Sequence, residues 1–209
     1  MYHPCLDEHG RRVRIANPSS PCAPDAWHDP AQVATVVPGG ARPEGLNGIP
    51  FAPADAPMAS AAAALPEPVF VLPVGLKAAA GAVVVEDDGR VWLVSPTNAF
   101  GGYTATFPKG RVDPGVALQA TAVREAFEES GLVVEILAHL VDVRRTQTYT
   151  RYYLARRAGG DPACMGWETQ AVHLAPPGLL PAVAAHANDV AVIAALAARM
   201  ALRIDSCRP

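Results

Sequence analysis

The sequence predicts an α/β domain that follows a proline-rich extension, because the two parts of the chain differ in composition and periodicity. Prolines recur every few residues from Pro4 to Pro73. Each proline fixes φ and removes a backbone donor, which disfavours long helices and central strands. After Lys77, apolar runs of strand length surround one amphipathic helix at residues 118–129. We therefore place the main boundary near residue 75.

The first part, residues 1–75, is expected to be a proline-rich extension or a small β subdomain. Short extended pieces are predicted at residues 12–15 and 33–37, and a linker at residues 58–68. In the second part, residues 76–209, an Asp-Gly turn at Asp88-Gly89 between two apolar runs is typical of a β-hairpin. The strands predicted in this part lie at residues 78–85, 90–95, 106–108, 133–143, 148–156 and 172–174. A last helix is predicted from residue 188 to about residue 203.

The composition excludes several classes of protein. Half of the 209 residues are hydrophobic, only 18% are charged, and the net charge is −3. A sizeable core can form, while a nucleic-acid coat or a membrane-surface protein would carry more positive charge. The N-terminal sequence lacks the apolar stretch of a signal peptide, and no run could cross a bilayer. We expect a cytoplasmic protein with no membrane partner.

The predicted helix at residues 118–129 carries three carboxylates on one side. Glu125, Glu128 and Glu129 are spaced i, i+3 and i+4, so they project together and repel one another. Clustered carboxylate oxygens suit a hard divalent cation such as Mg²⁺ or Mn²⁺. Taken alone, the pattern is more often a solvated acidic face. The surrounding residues change this interpretation.

A glycine precedes the helix at Gly110, and a second glycine ends it at Gly131. The stretch from Gly110 to Leu132 resembles the Nudix box, G-x5-E-x7-R-E-U-x-E-E-x-G-U, where U is aliphatic. One specified position departs from the box, because Val116 stands in place of its first Glu. The resemblance implies that residues 76–209 form a Nudix hydrolase domain, an α/β/α sandwich around a mixed sheet. It also implies Mg²⁺-dependent (or Mn²⁺-dependent) cleavage of a diphosphate bond.

The resemblance assigns roles to several residues. The expected metal ligands are Glu125, Glu128, Glu129 and the carbonyl of Gly110. Arg124 is expected to orient the glutamates, and Asp113 is the candidate that replaces the acid missing at Val116. Nudix enzymes often take a further acid from a loop after the box. Two candidates for the general base therefore remain open, Glu128 and Glu168.

Substrate phosphates need cationic or hydrogen-bonding partners beyond the metal. The residues expected to bind substrate are Lys109, Arg111, Arg145, Tyr149 and Tyr153. Strand alternation puts Tyr149, Arg151 and Tyr153 on one face, although ordinary packing explains each tyrosine equally well.

The segment before the box, Phe107-Pro108-Lys109-Gly110, resembles the FPKG of diadenosine polyphosphate and diphosphoinositol polyphosphate hydrolases. We therefore expect hydrolysis of a diphosphate or polyphosphate linkage in a nucleoside diphosphate derivative, with a dinucleoside polyphosphate favoured. Two alternatives stay open: a catalytically weak, Nudix-like nucleotide-binding regulator, and an RNA 5′-pyrophosphohydrolase. The scarcity of positive charge argues mildly against a nucleic-acid partner. Formation of a homodimer is left open.

Overall fold

A computed structural model describes residues 1–56 and 65–206 of the chain. Its strands and helices are numbered in chain order. The strands of the N-terminal part are β1 (Tyr2–Leu6), β2 (Arg12–Arg14), β3 (Ala34–Val36), β4 (Gly45–Leu46) and β5 (Ile49–Pro50). The later strands are β6 (Lys77–Val85), β7 (Val91–Pro96), β8 (Lys109–Arg111), β9 (Leu132–Arg144), β10 (Thr148–Gly160) and β11 (Thr169–Ala175). The helices are α1 (Leu118–Ser130), α2 (Leu180–Val183) and α3 (Val190–Ser206).

Seven strands form one mixed sheet in the order β3, β11, β7, β6, β10, β9, and β8 pairs with β6 beside this path. β10 runs parallel to β6, with Thr148 opposite Lys77 and Arg156 opposite Val85. The other pairs of this sheet are antiparallel. A parallel pair requires a long crossover connection, which here includes β7, α1 and β9.

The two long helices cover opposite faces of the sheet. Successive side chains of β6 point to opposite faces, so Ala82 and Val84 pack with Ala126 of α1 in one core cluster. Val83 packs with Val192 of α3 in another cluster. The fold is therefore the predicted α/β/α sandwich around a mixed sheet. Within the described ranges, no helix is both long and apolar enough to cross a membrane.

Most of the strands predicted in the second part and its two long helices are present, but β10 continues to Gly160 instead of residue 156, and β11 begins at Thr169 instead of residue 172. β1, β4, β5 and α2 lie where the sequence predicted no element. The strand predicted at 106–108 is misplaced, because Thr106 makes only an isolated bridge with Val94 before the chain crosses to β6. The paired strand begins at Lys109. The last helix begins at Val190 instead of residue 188, because the preceding residues form a 3-10 turn that the His186 ring caps.

The N-terminal part contributes to the same sheet and core as the rest of the chain. β3 pairs with β11 at one edge, and His173 of β11 hydrogen-bonds to Thr35 of β3 at 2.9 Å. Trp27 is 2% exposed. Its ring lies 5.8 Å from that of Phe51 and 6.2 Å from that of Trp92, which belongs to β7. The predicted extended pieces at 12–15 and 33–37 correspond to β2 and β3.

The linker predicted at residues 58–68 lies partly outside the described residues. Its last part contacts α1, since the Leu65 amide donates to Gln119 Oε1 at 3.0 Å and Gln119 Nε2 donates to the Leu65 carbonyl at 2.8 Å. The division of the chain near residue 75 stays a prediction, because packing of this kind does not show which parts fold independently.

Replacing Trp27 by Ala is expected to lower the free energy of unfolding by about 3–5 kcal/mol in a single transition. The reason is that Trp27 fills a core that β7 and β11 share. Chemical denaturation monitored by circular dichroism measures this loss. Phe100→Ala, which removes a ring that is 82% exposed, is the matched control and should change stability by less than about 0.5 kcal/mol. A W27A protein as stable as wild type would show that this core is not shared.

Candidate active site

The close approach of α1 to β8 places the acidic side chains of the helix. Ala122 and Ala126 are fully buried and seat the helix against the sheet. On the side facing β8, the Glu125 carboxylate lies directly against the α-carbon of Gly110. A side chain at position 110 would overlap this carboxylate, so the glycine is required by the contact.

The three glutamates of α1 differ in environment. Glu125 is 7% exposed, Glu129 is partly buried and Glu128 is exposed. Burial, together with the charge of Glu129, raises the pKa of Glu125 to about 8. Burial also raises the pKa of Glu129 to about 7, although Lys109 opposes this shift. The Lys109 amide donates to Glu129 Oε2 at 2.8 Å.

Arg124 joins the acidic groups of this region. Its guanidinium lies 2.9 Å from Glu125 Oε1 and 3.2 Å from Glu128 Oε2. It also lies 3.3 Å from Asp113 Oδ2 and donates to the Arg111 carbonyl at 3.3 Å. One cation therefore offsets three carboxylates, and it links α1 to the loop that follows β8.

These residues open onto a cleft of about 690 Å³. Glu168, predicted from the sequence as a candidate base, lines this cleft on the loop before β11. Burial raises the pKa of Glu168, and the negative charges of Glu128 and Glu8 add to the increase. Glu8 and Trp167 also line the cleft and were missed by the sequence reasoning. No motif marks Glu8, because its place depends on how the N-terminal part docks.

The sequence of residues 75–195 matches the family model described as the NUDIX domain. The chain belongs to the Nudix family. Two curated relatives are the RNA pyrophosphohydrolase of Pseudoalteromonas atlantica, 32% identical over 95 residues, and that of Caulobacter vibrioides, 35% identical over 92 residues. These matches cover 44% and 43% of this chain, and 51% and 50% of the relatives. The chain thus spans about half the length of the curated relatives it matches.

Solved structures agree on the fold. The C. elegans Ap4A hydrolase, solved as a binary complex, gives a TM-score of 0.51 at 23% identity, covering 59% of this chain and 98% of that chain. A NUDIX hydrolase from Nitrosomonas europaea gives a TM-score of 0.50 at 17% identity, covering 59% of this chain and 89% of that chain. At these identities the similarity concerns the fold alone.

The residues of the Nudix box fit a divalent cation by their chemistry. Glu125, Glu128 and Glu129 offer the hard oxygen donors that Mg²⁺ prefers, and the absence of a side chain at Gly110 lets the Glu125 carboxylate lie against the backbone of β8. In the part of the chain that the structure describes, no group of three or more Asp, Glu, His or Cys side chains is already arranged to hold a metal ion. Arg124 and the Lys109 amide instead hold the carboxylates of α1. The assignment of these ligands, including the Gly110 carbonyl, stays a prediction.

Asp113, the candidate substitute for the acid missing at Val116, contacts Arg124 in the structure. The turn before α1 is closed by a hydrogen bond of 3.0 Å from the Val116 amide to the Asp113 carbonyl. In the same turn, Asp113 Oδ2 lies 3.3 Å from the Arg124 guanidinium. This is the ion pair proposed from the sequence.

The five residues expected to bind substrate lie in different places. Lys109 and Arg111 line the cleft. Tyr153 is 1% exposed and donates its hydroxyl to Glu67 at 2.6 Å, so substrate contact at Tyr153 is contradicted by burial. Tyr149 packs on Phe70 with ring centroids 5.3 Å apart. The chain around residues 65–70 covers this face of β10, which the sequence could not show.

Arg145 belongs to a second polar group next to Lys109. It is 8% exposed and pairs with Asp189 at 2.5 Å. Its guanidinium and the Asn188 amide both donate to the Tyr103 hydroxyl, at 3.2 and 2.7 Å. The Lys109 ammonium lies 5.3 Å from the Tyr103 ring centroid. These residues are called the Tyr103 group.

Several buried polar atoms in or beside the Tyr103 group have no hydrogen-bond partner among the described residues. They are Thr106 Oγ1, Tyr152 OH, Arg145 Nε and Asp189 Oδ2. Buried polar atoms are normally satisfied, so this region is suited to water or to a polar part of a ligand.

Replacing Glu125 by Gln is expected to stabilise the metal-free protein at pH 8. The pKa of Glu125 rises from 4.5 to about 8 on folding. Between these values the folded state binds more protons than the unfolded state, so stability falls as the pH rises. The glutamine side chain does not ionise, so the variant avoids the cost of a buried charge. Its free energy of unfolding should exceed that of wild type by about 1–4 kcal/mol at pH 8. Near pH 4.5 the two proteins should be equally stable.

Urea denaturation in EDTA at several pH values measures this difference. Added Mg²⁺ should stabilise wild type more than E125Q, because binding requires the ionised carboxylate. Glu44→Gln, which alters an exposed glutamate, is the control and should follow wild type throughout. Equal stability of E125Q and wild type at pH 8 would contradict the raised pKa.

Proposed function

We propose that this chain is a Mg²⁺-dependent pyrophosphohydrolase that cleaves a diphosphate linkage in a dinucleoside polyphosphate. The observation that carries the proposal is the placement of Glu125, Glu128 and Gly110 in the wall of one cleft of about 690 Å³. Glu129 lies next to them, because its carboxylate accepts from the Lys109 amide at 2.8 Å. The same cleft brings together cationic side chains for phosphate and an acid on a separate loop. Mn²⁺ is the alternative metal, because it also prefers oxygen ligands.

Glu125 and Glu129 would hold the metal, and Glu128 would add a ligand or orient the attacking water. When bound, the metal supplies Lewis acidity and lowers the pKa of a water ligand. Lys109 and Arg111 are placed to offset negative charge on the phosphates. Arg124 contacts two of the glutamates and therefore orients them.

Glu168 or Glu128 would accept the proton of the water. The raised pKa of Glu168 favours this residue as the base, because a general base works best when its pKa lies close to the working pH. Glu128 is exposed and ion-paired with Arg124. Comparison of the pH profiles of kcat for E168Q and E128Q distinguishes the two.

The Tyr103 group is the proposed position of a nucleoside. It adjoins Lys109, its Tyr103 ring is stacked on the His186 ring with the centroids 4.0 Å apart, and it contains buried polar atoms without partners among the described residues. Aromatic rings and polar atoms that lack partners are features that nucleobase sites use. Support for a dinucleoside polyphosphate also comes from the Phe107-Pro108-Lys109-Gly110 sequence, which resembles the FPKG of diadenosine polyphosphate hydrolases.

The second candidate function is RNA 5′-pyrophosphohydrolysis. It is favoured by the curated relatives of that name at 32% and 35% identity. Both functions use the same glutamates, so they differ only in what lies beyond the cleaved phosphates. A regulator that binds nucleotides without turnover is the third outcome, motivated by Val116.

Glu129→Gln and Glu128→Gln are each expected to lower kcat/KM by about 10²-fold or more, because they remove ligand oxygens from the metal. Product release is followed by chromatography with Mg²⁺ and a panel of dinucleoside polyphosphates, ADP-ribose, nucleoside diphosphates and 5′-triphosphorylated RNA. EDTA should abolish turnover, and Mg²⁺ or Mn²⁺ should restore it. E44Q serves as the control. Binding without turnover across the panel would instead favour the regulator.

Asp113→Ala is expected to lower kcat/KM about fivefold, the equivalent of about 1 kcal/mol, because Arg124 loses a partner. Val116→Glu in the same protein should restore most of this loss, since it supplies the acid of the Nudix box. In the wild-type background V116E should have an effect of less than about threefold. No rescue in the double variant would mean that Asp113 does not substitute for the box acid.

A further inference from the structure

The hairpin of β1 and β2 is fixed to the rest of the protein. His3 and Ile15 are buried, with 4% and 1% exposure. The Asn98 side chain accepts from the Ala16 amide at 2.7 Å and donates to the Arg14 carbonyl at 2.9 Å. The hairpin thus docks through both buried side chains and a two-way hydrogen bond.

One strand of this hairpin contacts the loop that carries Glu168. The Cys5 thiol lies 4.0 Å from the Met165 carbonyl, three residues before Glu168. The turn that follows is ordered by Asp7, whose carboxylate accepts from the amides of His9 and Arg11 at 3.0 and 2.8 Å. Glu8 is held in this turn.

Glu8 therefore becomes part of the cleft wall. Its side chain is 73% exposed, and the ring of His9 lies 3.5 Å away. Its negative charge contributes to the raised pKa of Glu168. The cleft thus has acidic groups beyond those of α1, alongside the basic residues Lys109 and Arg111. The match to the NUDIX domain begins at residue 75, so it does not include this hairpin.

We propose that Glu8 is a specificity-determining residue that selects against substrates whose phosphates continue along the hairpin. An ionised carboxylate accepts hydrogen bonds and donates none. It can receive the hydroxyl or amino groups of a nucleoside, whereas it repels the backbone of an RNA chain. This inference rests on the proposed function, and it favours a dinucleoside polyphosphate over a 5′-triphosphorylated RNA.

The test compares Ap4A with a short 5′-triphosphorylated oligoribonucleotide. Dissociation constants are measured by competition against a fluorescent nucleotide, and kcat/KM is measured with Mg²⁺ wherever turnover occurs. The proteins are wild type, Glu8→Gln, Glu8→Lys and Glu44→Gln. The last variant makes the same chemical change at an exposed glutamate of the N-terminal part that does not line the cleft.

E8Q should tighten RNA binding about three- to fivefold, and E8K about tenfold, while Ap4A binding tightens less or weakens. The gain for RNA should shrink at about 0.5 M salt, because exposed charges are screened. Equal changes for both ligands, no change for either, or the same change in E44Q would overturn the proposal. If no compound of the panel is hydrolysed, the proposed function fails, while the binding ratios still decide the role of Glu8.

Discussion

The ion pairs of Arg124 are the interaction on which the acidic face of α1 depends. Three carboxylates on one side of a helix repel one another, and burial adds to the cost of ionising Glu125. Arg124 contacts two of these carboxylates and, through Asp113, the loop after β8 at once. The guanidinium lowers the electrostatic cost and fixes the helix relative to Gly110. A divalent cation that binds these carboxylates is expected to stabilise the protein, because it would offset their repulsion.

The N-terminal part shapes both the core and the cleft, although it lies outside the segment that defines the family. β3 covers one side of β11, so it protects backbone groups that an edge strand would expose. A buried pair between Arg157 and Glu86 adds a second connection, because Arg157 also donates to the Leu46 carbonyl at 2.8 Å. The loop before β11 is also contacted by the N-terminal part, because the Cys5 thiol lies 4.0 Å from the Met165 carbonyl. Its acid, Glu168, owes its position partly to residues far from the box.

Local patterns predicted much of the fold and part of the site. The periodicity of α1, the turn at Gly89 and the glycine at position 131 are local signals, and each corresponds to a feature of the structure. The spacing of Glu125, Glu128 and Glu129 likewise follows from helix geometry. Glu8 and the covering of Tyr153 depend on contacts between residues distant in sequence, which periodicity cannot reveal. Tyr149 and Tyr153 do share a face, but other parts of the chain occupy that face.

Val116 stands where the Nudix box has its first acid, and Asp113 supplies a carboxylate to Arg124 from the same loop. An arginine side chain is long, and a carboxylate within about 4 Å of its guanidinium lowers its electrostatic energy wherever the backbone of that carboxylate lies. Asp113 precedes Val116 by three residues, and the Val116 amide donates to the Asp113 carbonyl. The Asp113 carboxylate lies 3.3 Å from the Arg124 guanidinium. The loop therefore places a negative charge beside the Arg124 guanidinium although Val116 carries none. We infer that the Nudix box specifies a position in sequence where the arginine requires a charge in space, and that another residue of the same turn supplies that charge here.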